Sequence, residues 1–170
     1  MTVHCFTTHS PQETQALAAR LGSLLAPGDV VALTGELGSG KTTFVQGLAV
    51  GLGVPPETPV SSPSFVLAHE YPGRLPLVHL DLYRLEGLPP ELLPDLEDFL
   101  FGPQVAAVEW AERLENILPV SYLEVHLTIS GESERQITII GHHRRGRQLM
   151  EELVSQLAGE NAAPNQPGLD

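Results

Sequence analysis

Gly35-Glu36-Leu37-Gly38-Ser39-Gly40-Lys41-Thr42-Thr43 is the stretch on which the fold is decided. It has the spacing G-x-x-x-x-G-K-[ST], follows the β-branched apolar run Val30-Val31-Ala32-Leu33, and opens an amphipathic stretch from Phe44 to Leu52. Strand, glycine-rich turn and helix in that order read as a phosphate-binding loop. Glycines at 35, 38 and 40 permit turn conformations in which successive N–H groups converge on a polyphosphate at a helix N-terminus. In this reading Gly38, Ser39 and Gly40 belong to the cradle, and Lys41 reaches the β- and γ-phosphates. The Thr42 hydroxyl ligates Mg²⁺, and Thr43, starting the helix, meets the α-phosphate. Of nine basic residues eight are arginine and only Lys41 is lysine, a compact ammonium where a planar guanidinium would not fit the cradle.

Two apolar runs downstream end on acids: Leu77-Val78-His79-Leu80-Asp81 and Val105-Ala106-Ala107-Val108-Glu109. A carboxylate at the carboxyl end of a parallel strand faces the phosphate loop in such folds, so Asp81 and Glu109 are candidates to share the work of holding Mg²⁺ and orienting an attacking water. Val60-Ser61-Ser62-Pro63-Ser64-Phe65 connects the loop helix to the strand-like Val66–Tyr71, and its hydroxyls read equally as γ-phosphate sensors or as an ordinary loop.

The remaining chain follows α/β grammar. Val3–Thr8 reads as a strand, and Ser10-Pro11-Gln12-Glu13 as a capped helix start whose helix turns Leu17, Leu21, Leu24 and Leu25 to one face. Short helices are expected within Gly87–Phe101. Tyr122–Ile129 alternates apolar and polar residues and turns at 130–134 into Gln136–Ile140, an antiparallel hairpin. A last helix is expected over Arg147–Leu157. The predicted domain is residues 1–157, with a polar tail over 158–170 expected to be disordered. His142-His143-Arg144-Arg145-Gly146-Arg147 is the one basic cluster; it reads as a solvated turn before the last helix, with contact to RNA or an acidic partner the alternative.

At 170 residues the chain suffices for one domain with a real core. A net charge of −12 argues against a surface that embraces nucleic acid as a whole. No apolar run is long enough for a membrane span, the N-terminus lacks a leader pattern, and the single Cys5 reads as an apolar strand residue in a reducing cytoplasm.

Taken together, Gly35–Thr43, Ser62-Pro-Ser-Phe65, His79-Leu-Asp-Leu-Tyr-Arg-Leu85 and Glu109-Trp-Ala-Glu112 closely resemble the bacterial TsaE (YjeE) family, over about residues 8–140. The resemblance implies a single-domain P-loop NTPase of the α/β class, its mixed, mostly parallel sheet flanked by helices and closed by an antiparallel C-terminal hairpin. It implies weak ATP hydrolysis within a complex with TsaB-like and TsaD-like proteins, supporting threonylcarbamoyl transfer to the adenosine beside the anticodon of tRNA. The cofactors implied are ATP and Mg²⁺, with Lys41 on the phosphates, Thr42 and Glu109 on the metal, and Asp81 as the second acid. Trp110 and residues 62–65 would face the switch and the partners. The family usually has Thr where Ser64 stands and Asp-Leu-Gly-Ala where Glu36–Ser39 stands. The base is expected near segments 131–135 and 8–11, with Arg135 in contact. Two other readings of the loop are a small-molecule or nucleotide kinase, which lacks a long lid insertion here, and a nucleotide-gated module without turnover.

Overall fold

Alternation along the central strands determines how the layers assemble. In β2 (Val30–Gly35) and β5 (Val105–Glu109), Val31, Leu33, Val105 and Ala107 pack into one core, while Val30, Ala32, Ala106 and Val108 pack into a second on the opposite face. Strands buried on both faces are the mark of parallel sheet covered by helices on each side. The structure, a computed structural model, describes residues 2–63, 67–114 and 116–162. Within these, seven strands form one sheet in the order β1-β7-β6-β2-β5-β4-β3. The outer strands are β1 (Thr2–Thr8) and β3 (Ala68–Tyr71), and β4 (Leu77–Asp81), β6 (Tyr122–Ile129) and β7 (Arg135–His142) lie between. The central pairs β6/β2, β2/β5 and β5/β4 are parallel, and the outer pairs are antiparallel.

The larger core lies beneath α1 (Pro11–Leu24), α2 (Lys41–Gly51) and α4 (His143–Ala162), through Leu17, Leu21, Phe44, Leu48, Leu149 and Leu153. The other face is closed by α3 (Leu93–Phe101), whose Leu96 and Leu100 meet Val78 and Leu80. At the start of α1 the Ser10 hydroxyl accepts from Glu13 N (3.1 Å). The Glu13 carboxylate in turn accepts from His9 N (2.8 Å), one residue before the position a capping box specifies. Helix α1 lies on α2 at near-backbone contact, and a Cβ on Gly47 would meet Gln15 O at 2.4 Å and the Ala18 side chain at 2.6 Å.

Several boundaries differ from the sequence reading. Helix α2 begins at Lys41, two residues before Thr43, because left-handed Gly40 (φ 105°) already caps it. β3 begins at Ala68; Ser64, Phe65 and Val66, which the sequence reading assigned to the switch segment and strand entry, lie outside the described residues. Helix α4 starts at His143, four residues early, directly from β7 through a left-handed residue (φ 59°). It runs past Ala158 to Ala162, where a tail was expected, since Ala158, Glu160 and Ala162 favour helix strongly enough to carry it over Gly159. Residues 163–170 of that expected tail lie outside the description.

Nor is the basic cluster a free turn. Arg145 in the first turn of α4 donates to both carboxylate oxygens of buried Asp29 (3.0 and 2.8 Å) and to Leu24 O (3.2 Å), joining α4 to the α1–β2 connection. The Asp29 bonds are the main reason the Arg145 pKa lies above its ordinary value.

An exposed mid-helix Gly→Ala change stabilises by about 1 kcal/mol. Gly47→Ala is expected to reverse that sign and destabilise by about 1–3 kcal/mol, the usual range for overpacking, in urea unfolding with an unchanged m-value.

Candidate functional site

Parallel pairing carries three strand tips to one end of the sheet. Leu33 of β2 stands opposite Glu109 of β5, and Glu109 opposite Asp81 of β4, so the loop leaving β2 emerges beside both acids. Strand alternation also fixes their direction. Glu109 shares parity with Val105 and Ala107, and Asp81 with Leu77, all on the face covered by α2. The helix and the two acids therefore converge.

Thr42, on the first turn of α2, donates its hydroxyl to both Glu109 oxygens (3.0 and 2.9 Å). Glu109 is buried at 3% exposure, a burial that a carboxylate sustains only with partners. His79 supplies a further one, its Nε2 lying 2.5 Å from Glu109 Oε2. Asp81 is less enclosed: Oδ1 accepts from Tyr83 N (3.0 Å), and Oδ2 from the Ser62 hydroxyl. Of the hydroxyl-rich segment residues 60–63 are described, and among them Ser62 contacts an acid of the site.

Lys41 is also buried, and its ammonium donates to Gly35 O (2.6 Å) and Glu36 O (2.9 Å) at the start of the loop. It lies 4.1 Å from the centroid of the Trp110 ring, a cation–π contact. Trp110 takes a left-handed conformation (φ 58°), rare and costly for a bulky residue, and this turn at the end of β5 brings the indole to Lys41 and against Tyr83 (centroids 5.1 Å). Burial pushes the Lys41 pKa below its ordinary value, opposed by the charges of Glu109, Glu112, Asp81 and Glu36.

The loop itself has the form of an anion cradle. Gly38 (φ 81°) and Gly40 (φ 105°) are left-handed, and a Cβ on Gly35 would meet Leu127 O at 2.5 Å and Ser39 Oγ at 2.7 Å. The Ser39 hydroxyl is buried without a hydrogen-bond partner among the described residues, an orphaned donor inside the loop. Thr42, Glu109 and Asp81 form an oxygen-only donor set, which suits Mg²⁺, an ion commonly bound by one or two carboxylates plus phosphate oxygens. The residues present thus fit both a polyphosphate and a magnesium ion.

Two clefts flank the loop. One, about 340 Å³, is lined by Lys41, Thr42, Ser62, Asp81, Glu109 and Trp110. The other, about 150 Å³, is bounded by Ser10, Thr14, Ser39, Thr43 and Arg135, bringing the loop together with segments 8–11 and 131–135. Arg135 acts as a bolt between them. Its Nε donates to Ser39 O (3.1 Å), and its Nη1 to Gly131 O (3.2 Å) and Glu134 O (2.9 Å).

His79 is the residue to which sequence reasoning assigned no role. The available signal was a lone polar side chain in an apolar strand, two positions before Asp81 and hence on the same face. The Lys41–Trp110 contact had no sequence signal, because it depends on the backbone reversal at Trp110.

A family model for the threonylcarbamoyl adenosine biosynthesis protein TsaE matches residues 8–137. Among individual proteins, the tRNA threonylcarbamoyladenosine biosynthesis protein TsaE of Bacillus subtilis is 42% identical, covering 86% of this chain and 90% of that protein. The protein of the same description from Nostoc sp. is 46% identical over 75% of this chain and 80% of its own length. The crystal structure of Bacillus subtilis YdiB superposes with a TM-score of 0.79 at 37% identity, covering 91% of this chain and 96% of that one.

The bolt is open to test. Arg135→Lys keeps the charge but loses the forked geometry, and is expected to raise amide hydrogen exchange at both 38–40 and 131–134. Unchanged exchange at 38–40 would mean that Arg135 does not brace the loop.

Proposed function

The chain belongs to the TsaE family, whose members serve threonylcarbamoyladenosine biosynthesis on tRNA, and from that membership and the site geometry we propose that it is a weak, Mg-dependent ATPase acting in a complex with TsaB-like and TsaD-like proteins. The observation that carries the nucleotide part is the Thr42 hydroxyl bonded to both oxygens of Glu109, at the mouth of a glycine loop and beside Asp81. A donor set of this kind at a loop of this shape has its chemical use in holding a metal against phosphates.

In this reading the amides of 38–43 and the Lys41 ammonium hold the phosphate chain, with Lys41 exchanging its bonds to Gly35 O and Glu36 O for phosphate oxygens. Thr42 and Glu109 would hold a magnesium ion, which when bound neutralises charge developing on the transferred phosphoryl group. Asp81 orients the attacking water, its carboxylate set by Tyr83 N and Ser62. ATP rather than GTP is assigned from the family resemblance. The nucleoside occupies the cleft between 8–11 and the 130–134 turn, with Arg135 fixing that cleft and lying within reach of the base.

Reconstitution with TsaB-like and TsaD-like proteins, reading released phosphate and modified tRNA together, tests the proposal. Lys41→Ala is expected to abolish both signals. Asp81→Asn is expected to slow phosphate release about 10²-fold or more, the range in which one acid–base group contributes. Glu109→Ala is expected to remove metal-dependent turnover while nucleotide affinity without metal is kept. Full tRNA modification by Lys41→Ala would contradict the proposal.

A pH dependence follows from Lys41. Its pKa is lowered in the free protein by burial and is raised once phosphates surround it, so nucleotide affinity is full below the free-state pKa and falls as pH rises through it. Calorimetry at alkaline pH in buffers of different ionisation enthalpy is expected to register proton uptake on ATP binding, and the Lys41→Ala protein none.

A further inference from the structure

His79 is fully buried on β4, yet it is the only side chain of that strand's α2-facing positions besides Leu77 and Asp81. Its lateral neighbours in register are His69 of β3 and Ala107 of β5, and Glu109 is the diagonal neighbour on β5, within reach of a ring. Its Nε2 meets Glu109 Oε2 at 2.5 Å, and its Nδ1 is buried with no partner. A carboxylate oxygen can only accept, so Nε2 carries the hydrogen of this bond. The His79 side chain thus donates to the carboxylate and makes no other hydrogen bond among the described residues.

We propose that His79 is a positioning residue for Mg²⁺ binding, locking the Glu109 carboxylate in the orientation that presents it, with Thr42, to the metal. This rests on the Mg-nucleotide reading above. The Thr42 hydroxyl is shared between Glu109 and the cation and cannot fix the carboxylate alone. His79 can, because its bond lies behind Glu109 in the sheet, away from the loop. A buried ring N–H held on a metal-binding carboxylate is an outer-shell support of the kind whose loss lowers metal affinity about 10–100-fold. A histidine that merely fills space would leave metal affinity unchanged when replaced by a side chain of similar volume.

The test uses the full chain and a fluorescent ATP analogue, titrated with and without Mg²⁺. His79→Leu is expected to raise the Mg²⁺ concentration needed for tight binding by about tenfold, with affinity in EDTA unchanged. His79→Gln, whose amide N–H reaches the place of Nε2, is expected to restore the wild-type requirement, and His79→Asn, which falls short, is not. An unchanged Mg²⁺ requirement in folded His79→Leu, or equal loss of affinity with and without metal, overturns the proposal. Should His79→Leu fail to fold, the Gln and Asn variants decide, and equal Mg²⁺ requirements in those two overturn it. Failure of the Mg-nucleotide reading is separable, since the wild-type protein would then gain no affinity from Mg²⁺ at all.

Discussion

The register of three parallel strands is the constraint on which the site depends. β2, β5 and β4 are paired so that Leu33, Glu109 and Asp81 stand in one row across the sheet. Because side chains alternate, a slip of one residue in β5 would turn Glu109 to the opposite face and expose the packing of Ala106 and Val108 to the wrong core. The register is held by burial on both faces: every residue of β5 is buried, and so are the first four of β2 and β4. The apolar content of these strands therefore does more than make a core. It aims two carboxylates at the start of α2.

Around that row each charged group has a hydrogen-bonding partner, and Lys41 and Glu109 are buried against theirs. Lys41 is held by two loop carbonyls and by the Trp110 ring. Thr42 closes on Glu109, and Ser62 on Asp81. Isolated buried charges would be prohibitive, so these bonds stabilise the free loop; in the proposed reading they are the ones exchanged for ligand contacts. The strained backbone at Trp110 belongs to the same economy, since it delivers the aromatic face that makes burial of the only lysine tolerable. His79 and Arg135 stand behind this layer and hold the acid and the loop, respectively.

Much of this was legible in the sequence because its signals are local. The strand–glycine loop–helix order, the two acid-tipped apolar runs and the hairpin each occupy short windows with one periodicity, and the structure places Lys41, Thr42, Asp81 and Glu109 around one cleft. The family followed from four motifs in order, and the family model spans them. What was not legible depends on distant pairings. Nothing near Arg145 announces Asp29, which lies 116 residues away, so a basic run was read as solvated when one of its members is a structural fork. Arg135 is expected beside the base from the sequence; its bonds to the backbone carbonyls of Ser39, Gly131 and Glu134 are ones that no side-chain pattern encodes. The C-terminal end of α4 escapes the sequence for a local reason: its polar, Gly-containing stretch reads as a tail although its Ala and Glu residues favour helix.

A crystal structure of the protein with Mg²⁺ and a non-hydrolysable ATP analogue tests the central claim most directly. The account requires the β- and γ-phosphates inside the 35–43 loop, the Lys41 ammonium moved from Gly35 O and Glu36 O onto them, and one ion shared by Thr42 and Glu109 with Asp81 at the γ-phosphate. Phosphates bound outside the loop, or an ion remote from Glu109, would contradict it.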